Sequence, residues 1–312
     1  MIETKQKTKI SVYMITYNNT RTVGRALESL KWADEIIVVD SFSTDKTAEI
    51  CQKYTDKIFQ RRWPGHRDQY QYAADLTTHP WIMFVDADEE VSPELTDEIR
   101  RELDGGAEEV DGFFVYRRTF YLGRWIRYGG WYPDGEIRLY RRDKGKWEGG
   151  LHARVVVNGR VQPLKNLYHH YTYRDISDQI QTIDKYSRIA AEDMAQQGES
   201  FSLFKLLFHP PFRFVKEYFF KSGFRDCLPG LVIVMSTMYY VFIKYAKLWE
   251  LTRSTAHPRP ELGSKASLSF EGDEEKRRSG STLSPRPHVL RAVEGSDQRA
   301  EGLTRGQKGE EK

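Results

Sequence analysis

The sequence predicts an α/β protein, a mostly parallel sheet with helices on both faces. Three observations predict it. Short apolar runs alternate with amphipathic segments from Ile10 through the helix that opens at Ser92, the pattern of strand–crossover–strand units. The runs are apolar nearly throughout, as strands buried on both faces are. Three of them end on polar side chains, at Thr16-Tyr17-Asn18, Asp40-Ser41 and Asp86-Ala87-Asp88. Ligands of such sheets collect beyond the strands' carboxyl ends.

The elements follow in order. Ile10 to Tyr17 reads as a strand, Asn18-Asn19-Thr20 as turn and cap, and Val23 to Leu30 as a short helix. Glu35 to Asp40 is a second buried strand; Ser41 to Asp45 turns into a helix reaching Tyr54. Lys57 to Arg61 is a shorter strand, Gly65 to Leu76 a helix, and Trp81 onward the strand that runs into Asp86. Ser92-Pro93-Glu94 opens another helix, with Ser as N-cap, Pro at the first position and an acid in the first turn. Asn158-Gly159, between Val155 and Val161, predicts a two-residue hairpin turn.

A chain of 312 residues, 39% hydrophobic and 30% charged, suits one large domain with appendages. A net charge of +3 sets up no global field demanding nucleic acid. The two cysteines show no metal spacing and no disulfide framework, which points to a reducing compartment. Residues 1–9 are polar without the apolar core of a secretion signal and read as a disordered start. No Gly-x-Gly-x-x-Gly follows the first strand and no Gly-x-x-x-x-Gly-Lys-Ser/Thr occurs, which weighs against a dinucleotide fold and a P-loop.

The stretch Trp81 to Glu90 carries the chemistry. Alternation along an extended chain sends Asp86 and Asp88 one way and Ala87 back. Two carboxylates aimed together at a strand end suit a hard divalent cation that keeps positions open for phosphate oxygens. The same ten residues also suit a buried strand meeting an acidic turn. Asp40 reads either as a strand-ending acid or as an acceptor for a base N–H or a ribose hydroxyl. Arg61, Arg62 and Arg67 could face an anion or form a solvated face.

Residues 10–140 resemble a family 2 glycosyltransferase with a GT-A fold. The resemblance rests on Ile10–Asn18, on Val38-Val39-Asp40-Ser41-Phe42-Ser43-Thr44-Asp45-Lys46-Thr47 and on Phe84-Val85-Asp86-Ala87-Asp88. Residues 129–252 are similar to the bacterial subgroup of lipopolysaccharide-core glucosyltransferases (WaaE/KdtX-like), through Trp131-Tyr132-Pro133-Asp134, Arg138-Leu139-Tyr140-Arg141-Arg142, the His152 region and Tyr245 to Leu251. The resemblance implies a nucleotide-diphosphate sugar donor, most often UDP-linked. It implies Thr16, Tyr17, Asn18, Asp40 and Asp86 around that donor, and Asp86 with Asp88 holding Mg²⁺ or Mn²⁺ against the diphosphate; Arg67 is added to the donor contacts on its charge alone.

Inverting transfer, itself implied by the resemblance, needs a base across the sugar from the leaving group. Asp134 is the first candidate and Glu136 the second; Glu148 and His152 also fall in the window. In the subgroup the residue after the histidine of the 152 region is usually Glu; here it is Ala153. Trp131 or Tyr132 could stack on an acceptor sugar or be an ordinary core ring. In Tyr168-His169-His170-Tyr171 the two histidines face opposite ways, so only one could reach a diphosphate or metal.

Ser177 is expected to cap a helix with Ile180, Ile183, Ser187, Ala190 and Met194 on one face, ending at Gly198. Residues 201–221 interleave aromatic and basic side chains, and Pro210-Pro211 is expected to split them into two short helices. Residues 230–245 are largely apolar, about 16 residues against the ~20 of a span. Region 201–251 thus reads as an interfacial module on anionic lipid, as a packed helical layer, or as a marginal span. The expected organisation is a disordered 1–9, a GT-A domain at 10–175, a helical membrane-associating region at 176–252 and a disordered tail at 253–312.

The expected function is an inverting, metal-dependent hexosyltransferase on the cytoplasmic face of the inner membrane. Its partners would be a nucleotide-sugar donor, a glycan or lipid-linked acceptor and an anionic membrane surface, with no nucleic acid. Two alternatives are transfer to a polyprenyl phosphate and a degenerate nucleotide-sugar-binding protein without turnover.

Overall fold

A computed structural model describes residues 7–106, 109–149 and 153–256. His152, and the readings made of it, lie outside the described residues, as do residues 1–6 and the tail beyond 256. Two compact units divide the described chain, one ending at Thr172 and the other beginning at Tyr173; the sequence put its boundary between 175 and 176.

The first unit runs β1 (Ile10–Thr16), α1 (Val23–Glu28), β2 (Glu35–Asp40), α2 (Thr47–Cys51), β3 (Ile58–Gln60), α3 (His66–Asp75), β4 (Trp81–Phe84), β5 (Glu89–Val91) and α4 (Pro93–Asp104). It continues with β6 (Gly112–Tyr121), β7 (Arg124–Trp125), a 3-10 turn (Gly129–Trp131), β8 (Asp134–Arg141), β9 (Gly145–Glu148), β10 (Arg154–Val157) and β11 (Val161–His170). Among the described residues the main sheet has the order β3-β2-β1-β4-β8-β6-β11-β5, with β7 paired to β6. Strands β3, β2, β1 and β4 are mutually parallel. Strand β8 is antiparallel to both β4 and β6, and β11 runs parallel to β6. This is the α/β class expected, parallel in its first half and mixed in its second.

Alternation along β1 explains the helices on both faces. Ile10, Val12 and Met14 join Val23, Leu27, Leu95 and Ile99 of α1 and α4 in one core. Tyr13 joins Ile37, Val39, Ile82 and Phe84 against Tyr70, Ala73 and Ala74 of α3 in the other. Ser92 caps α4 as its sequence predicts, its hydroxyl accepting from Leu95 N at 3.1 Å.

The Asn158-Gly159 turn does not make the expected hairpin. Strand β10 pairs antiparallel with β9, while β11 leaves for the main sheet. Asp111 redirects the chain: its carboxylate accepts from Arg160 N at 2.9 Å and its N–H donates to Arg160 O at 2.8 Å. A Cβ at Gly159 would collide with that carboxylate, so glycine serves a close approach here and not a hairpin turn.

Glu35 pins the amino end of β2. It accepts from Lys57 Nζ at 2.5 Å, from Thr78 N at 2.8 Å, from Thr78 Oγ1 at 3.0 Å and from the Ser11 hydroxyl. Burial alone would raise its carboxyl, but these bonds outweigh it and hold the group down at about 2, against an ordinary 4.5. A depressed carboxyl stabilises the fold fully above its unfolded value and loses that contribution as pH falls. Glu35→Gln is therefore expected to cost roughly 1–3 kcal/mol at pH 7. The gap to the parent should close as pH drops from about 4.5 towards 2 in thermal melts.

The second unit holds α5 (Ile176–Gln196), α6 (Leu203–Val215), a π-helical turn (Lys216–Phe220), a 3-10 turn (Gly223–Asp226) and α7 (Cys227–Ala256). Asp175, not Ser177, caps α5, accepting from Asp178 N at 2.8 Å. The buried stripe of α5 includes Ile183, Tyr186, Ser187 and Ala191, and Ile180 is exposed, so the face is rotated from the one expected. Pro210 and Pro211 do not split α6, because proline's fixed φ is helical and two missing N–H donors are the cost. Helix α7 continues past Thr252, where the sequence pattern was expected to stop.

Candidate active site

The carboxyl ends of β1, β2 and β4 lie side by side, and the turns after them are knitted together. Asn18, at φ 51°, donates its N–H to Ser43 Oγ at 2.9 Å, and its side-chain oxygen accepts from Thr44 N at 2.9 Å. Asp45 and Thr47 tie the other edge: Asn19 N donates to Thr47 Oγ1 at 2.7 Å, and Thr47 N to Asp45 Oδ1 at 2.9 Å.

Asp40 is fully buried at the centre. Its carboxylate accepts from Thr16 Oγ1 at 2.9 Å, from Ser43 N at 2.8 Å and from Ser43 Oγ at 2.5 Å. The sequence offered Asp40 as a contact for a base; in the structure its bonds to Ser43 and Thr16 also shape the loop that carries exposed Phe42. A buried carboxylate needs such donors. Tyr17 is half-buried, its N–H held by Asn19 Oδ1 at 2.8 Å. Arg67 stands at the start of α3, exposed and paired with Asp68 at 2.7 Å.

Asp86 and Asp88 follow β4, each only 6% exposed, and Ala87 turns back into the core with Val85. The two acids keep different company. Asp86 accepts from the Tyr70 hydroxyl and faces Arg138 Nη1 at 3.3 Å. Burial first, and the nearby Asp86 next, push the Tyr70 phenol well up, so it stays a neutral donor. Asp88 Oδ2 lies 3.6 Å from His170 Nε2, and His170 Nδ1 faces Thr119 Oγ1 at 3.3 Å. A hydroxyl on the far nitrogen fixes the orientation of the imidazole. His169 turns the other way, its ring 4.3 Å from that of Trp125, as adjacent positions on a strand must.

The proposed bases are both bound to arginines. Arg117 Nε donates to Asp134 Oδ2 at 2.5 Å. Arg138 reaches Glu136 Oε1 at 2.8 Å and both oxygens of Glu89 at 3.0 Å, and it has no exposed surface. Its guanidinium is stacked between Phe84 and Tyr168, 4.0 and 4.7 Å from their ring centroids. Carboxylate neighbours outweigh the burial that would lower Arg138, so it stays charged. Trp131 is a core residue packed edge-on to Tyr121 at 5.2 Å, which leaves the half-buried Tyr132 as the ring of that loop nearer solvent.

Arg117 thus meets Glu89 and Asp134, Arg138 meets Asp86, Glu89 and Glu136, and Asp88 faces His170. Among the described residues no three His, Cys, Asp or Glu side chains form a ready-made metal cage. A cation that rides on a nucleotide needs only one or two protein donors, because phosphate oxygens and water complete its shell. Asp88 and His170 supply such a pair. The residues present fit a divalent cation.

The profile of Glycosyl transferase family 2 matches residues 11–155. A lipopolysaccharide core biosynthesis glycosyltransferase of Rhizobium meliloti, LpsC, is 30% identical over 265 residues, covering 81% of this chain and 96% of the relative. The chain belongs to glycosyltransferase family 2. An uncharacterised glycosyltransferase of Rickettsia typhi is 30% identical over 262 residues, covering 78% of this chain and 88% of the relative. A crystal structure of S. aureus TarS 1-349 in complex with UDP-GlcNAc matches with a TM-score of 0.41 at 17% identity, over 80% of this chain and 92% of that one.

Several residues of the candidate site were given no role there from sequence: Tyr70, Glu89, Arg117 and Arg138. A signal for Arg138 existed. Glu136 and Arg138 sit among Ile137, Leu139 and Tyr140 in a central strand whose register against β6 shifts beside Arg138, so an otherwise apolar run carries charge into the core. A charge in that position must find a buried partner.

Proposed function

We propose that this glycosyltransferase moves a hexose from a UDP-linked donor to a saccharide acceptor in lipopolysaccharide core or a related surface glycan. The observation that carries the donor half is the Asp88–His170 pair at the sheet's carboxyl edge, beside the knitted loops of Thr16, Tyr17, Asn18 and Asp40. The kinship with LpsC, named for lipopolysaccharide core biosynthesis, supports the acceptor half.

Asp88 and His170 would hold Mg²⁺ or Mn²⁺, which when bound neutralises charge on the departing diphosphate. Asp86 is a weaker candidate ligand than the sequence suggested, because Tyr70 and Arg138 already engage its two oxygens. The Thr16–Asn18 and Ser41–Thr44 turns would shape the nucleoside pocket, with Asp40 setting their form from beneath. Arg67 would meet the donor from the start of α3. The acceptor hydroxyl must lose a proton as it attacks. Asp134 is the proposed base, oriented by Arg117, with Glu136 second.

One observation favours a second reading. Both candidate bases are bound to guanidinium groups, which occupy carboxylate oxygens that a base would have to present to the acceptor hydroxyl, and Ala153 offers no substitute. A polyprenyl phosphate is already anionic and needs no strong base. Incubating the protein and UDP- or GDP-sugars with saccharide and polyprenyl-phosphate acceptors separates the readings by which acceptor drives nucleotide release. Donor binding without release under any acceptor would overturn both. His170→Gln is expected to lower transfer about 10–100-fold, with Mn²⁺ required at higher concentration, as a titration of rate against metal would read.

A further inference from the structure

Helix α6 and the π-helical turn after it are inside out for a protein in water. Their buried side chains are Pro210, Arg213 and Glu217, with the last two ion-paired at 2.7 Å. The apolar residues point outward: Phe204, Leu207, Phe208, Phe212, Phe219 and Phe220 are all more than half exposed, Phe220 by 81%. An amphipathic helix in water turns its apolar face to the core. A contiguous outward patch of this size marks an interaction surface.

Charge identifies what covers it. Between residues 201 and 249 the only acids are Glu217 and Asp226, and both are buried. Lys216, Lys221 and Arg225 belong to the same stretch, and Arg225 is exposed; Lys205, at the start of α6, pairs instead with Glu199 at 3.2 Å. Aromatic rings with a basic rim and no exposed acid suit the headgroup zone of an anionic bilayer. A second copy of this chain would bring the same positive rim and be repelled.

Helix α7 is long and apolar enough to cross a membrane by length and composition, but its packing argues against a span. Helix α5 lies along it, and Lys247 Nζ donates to Asp184 O at 2.6 Å, to Asp184 Oδ1 at 2.7 Å and to Ser187 Oγ at 2.9 Å. Ser236 Oγ donates to Gln179 Oε1 at 3.3 Å. Inserting α7 would carry the charges of α5, among them Asp184, Arg188 and Asp193, into hydrocarbon, which is strongly unfavourable.

We propose that residues 203–228 form a monotopic membrane dock that lies in the headgroup zone of an anionic bilayer without spanning it. The dock is independent of the donor chemistry, so the two can fail separately. Cys227 offers a probe: it is exposed between Phe224 and Leu228, whereas Cys51 is buried with its thiol pushed up to about 12 by that burial and then by Asp40.

The full chain, labelled at Cys227 with an environment-sensitive fluorophore, is mixed with phosphatidylcholine vesicles with or without phosphatidylglycerol. A blue shift and co-sedimentation are expected with the anionic vesicles, and binding at least tenfold weaker without the anionic lipid. F208Q/F212Q, at exposed positions, should weaken vesicle binding tenfold or more while leaving the thermal melt and UDP binding as in the parent. High-pH carbonate should strip the protein from vesicles. Unchanged vesicle binding by F208Q/F212Q would overturn the dock. So would a parent protein that ignores anionic vesicles, whether it stays monomeric or self-associates through this face. Resistance to carbonate would overturn the monotopic assignment in favour of a span.

Discussion

Replacing Asp88 by Asn is expected to lower sugar transfer about 10³-fold or more, the loss that follows when roughly 4 kcal/mol of leaving-group stabilisation is withdrawn. The substitution keeps size and shape and leaves Tyr171 N donating to the residue 88 carbonyl at 2.8 Å, so the fold should hold. A single-turnover assay with saturating donor would read the loss in the rate of sugar transfer. Asp86→Asn should behave differently. Its carboxylate is engaged by Tyr70 and Arg138, so part of its cost should appear as lost stability and not only as lost rate. Equal rates in parent and Asp88→Asn would remove Asp88 from the chemistry.

Arg138→Met is expected to be the most destabilising single change in the first unit. It keeps the stem between Phe84 and Tyr168 but removes the charge that faces Asp86, Glu89 and Glu136. Breaking a buried ion pair on one side costs about 3–5 kcal/mol, which for a unit of this size lowers the melting temperature by roughly 10 °C. The pH dependence gives the mechanism. Stranded carboxyl groups would titrate above their unfolded values, so the variant's stability should be best at low pH and decline as pH rises. Melts at pH 5 and pH 8 should therefore show a larger deficit at pH 8. A deficit equal at both would mean that packing, and not charge, is what Arg138 supplies.

Much of the parallel half of the fold was legible in the sequence. Strands β1, β2 and β4 are apolar runs whose ends carry Thr16, Asp40 and Asp86, and Ser92 announces α4. What escaped depends on residues far apart in the chain. Arg138 meets Asp86 across 52 positions and Tyr13 meets Tyr140 across 127, and no local period encodes either. The same distance explains Asn158-Gly159. A dipeptide rule assumes that neighbouring segments pair, and it cannot anticipate an aspartate 49 positions upstream capturing the turn. Asp40 shows a further limit. An acid at a strand's carboxyl end marks the site, but whether it meets the ligand or holds the loop depends on Ser43 and Thr16, and both choices leave the same letters in the sequence.

The account turns on a cation joining Asp88 and His170 to the diphosphate of the donor. Calorimetric titration of UDP into the parent and into Asp88→Asn, with and without Mn²⁺, tests this most directly. Mn²⁺ should tighten UDP binding at least tenfold in the parent, a gain of about 1.4 kcal/mol, and should do nothing in the variant. An equal gain from Mn²⁺ in both proteins, or none in either, would contradict it.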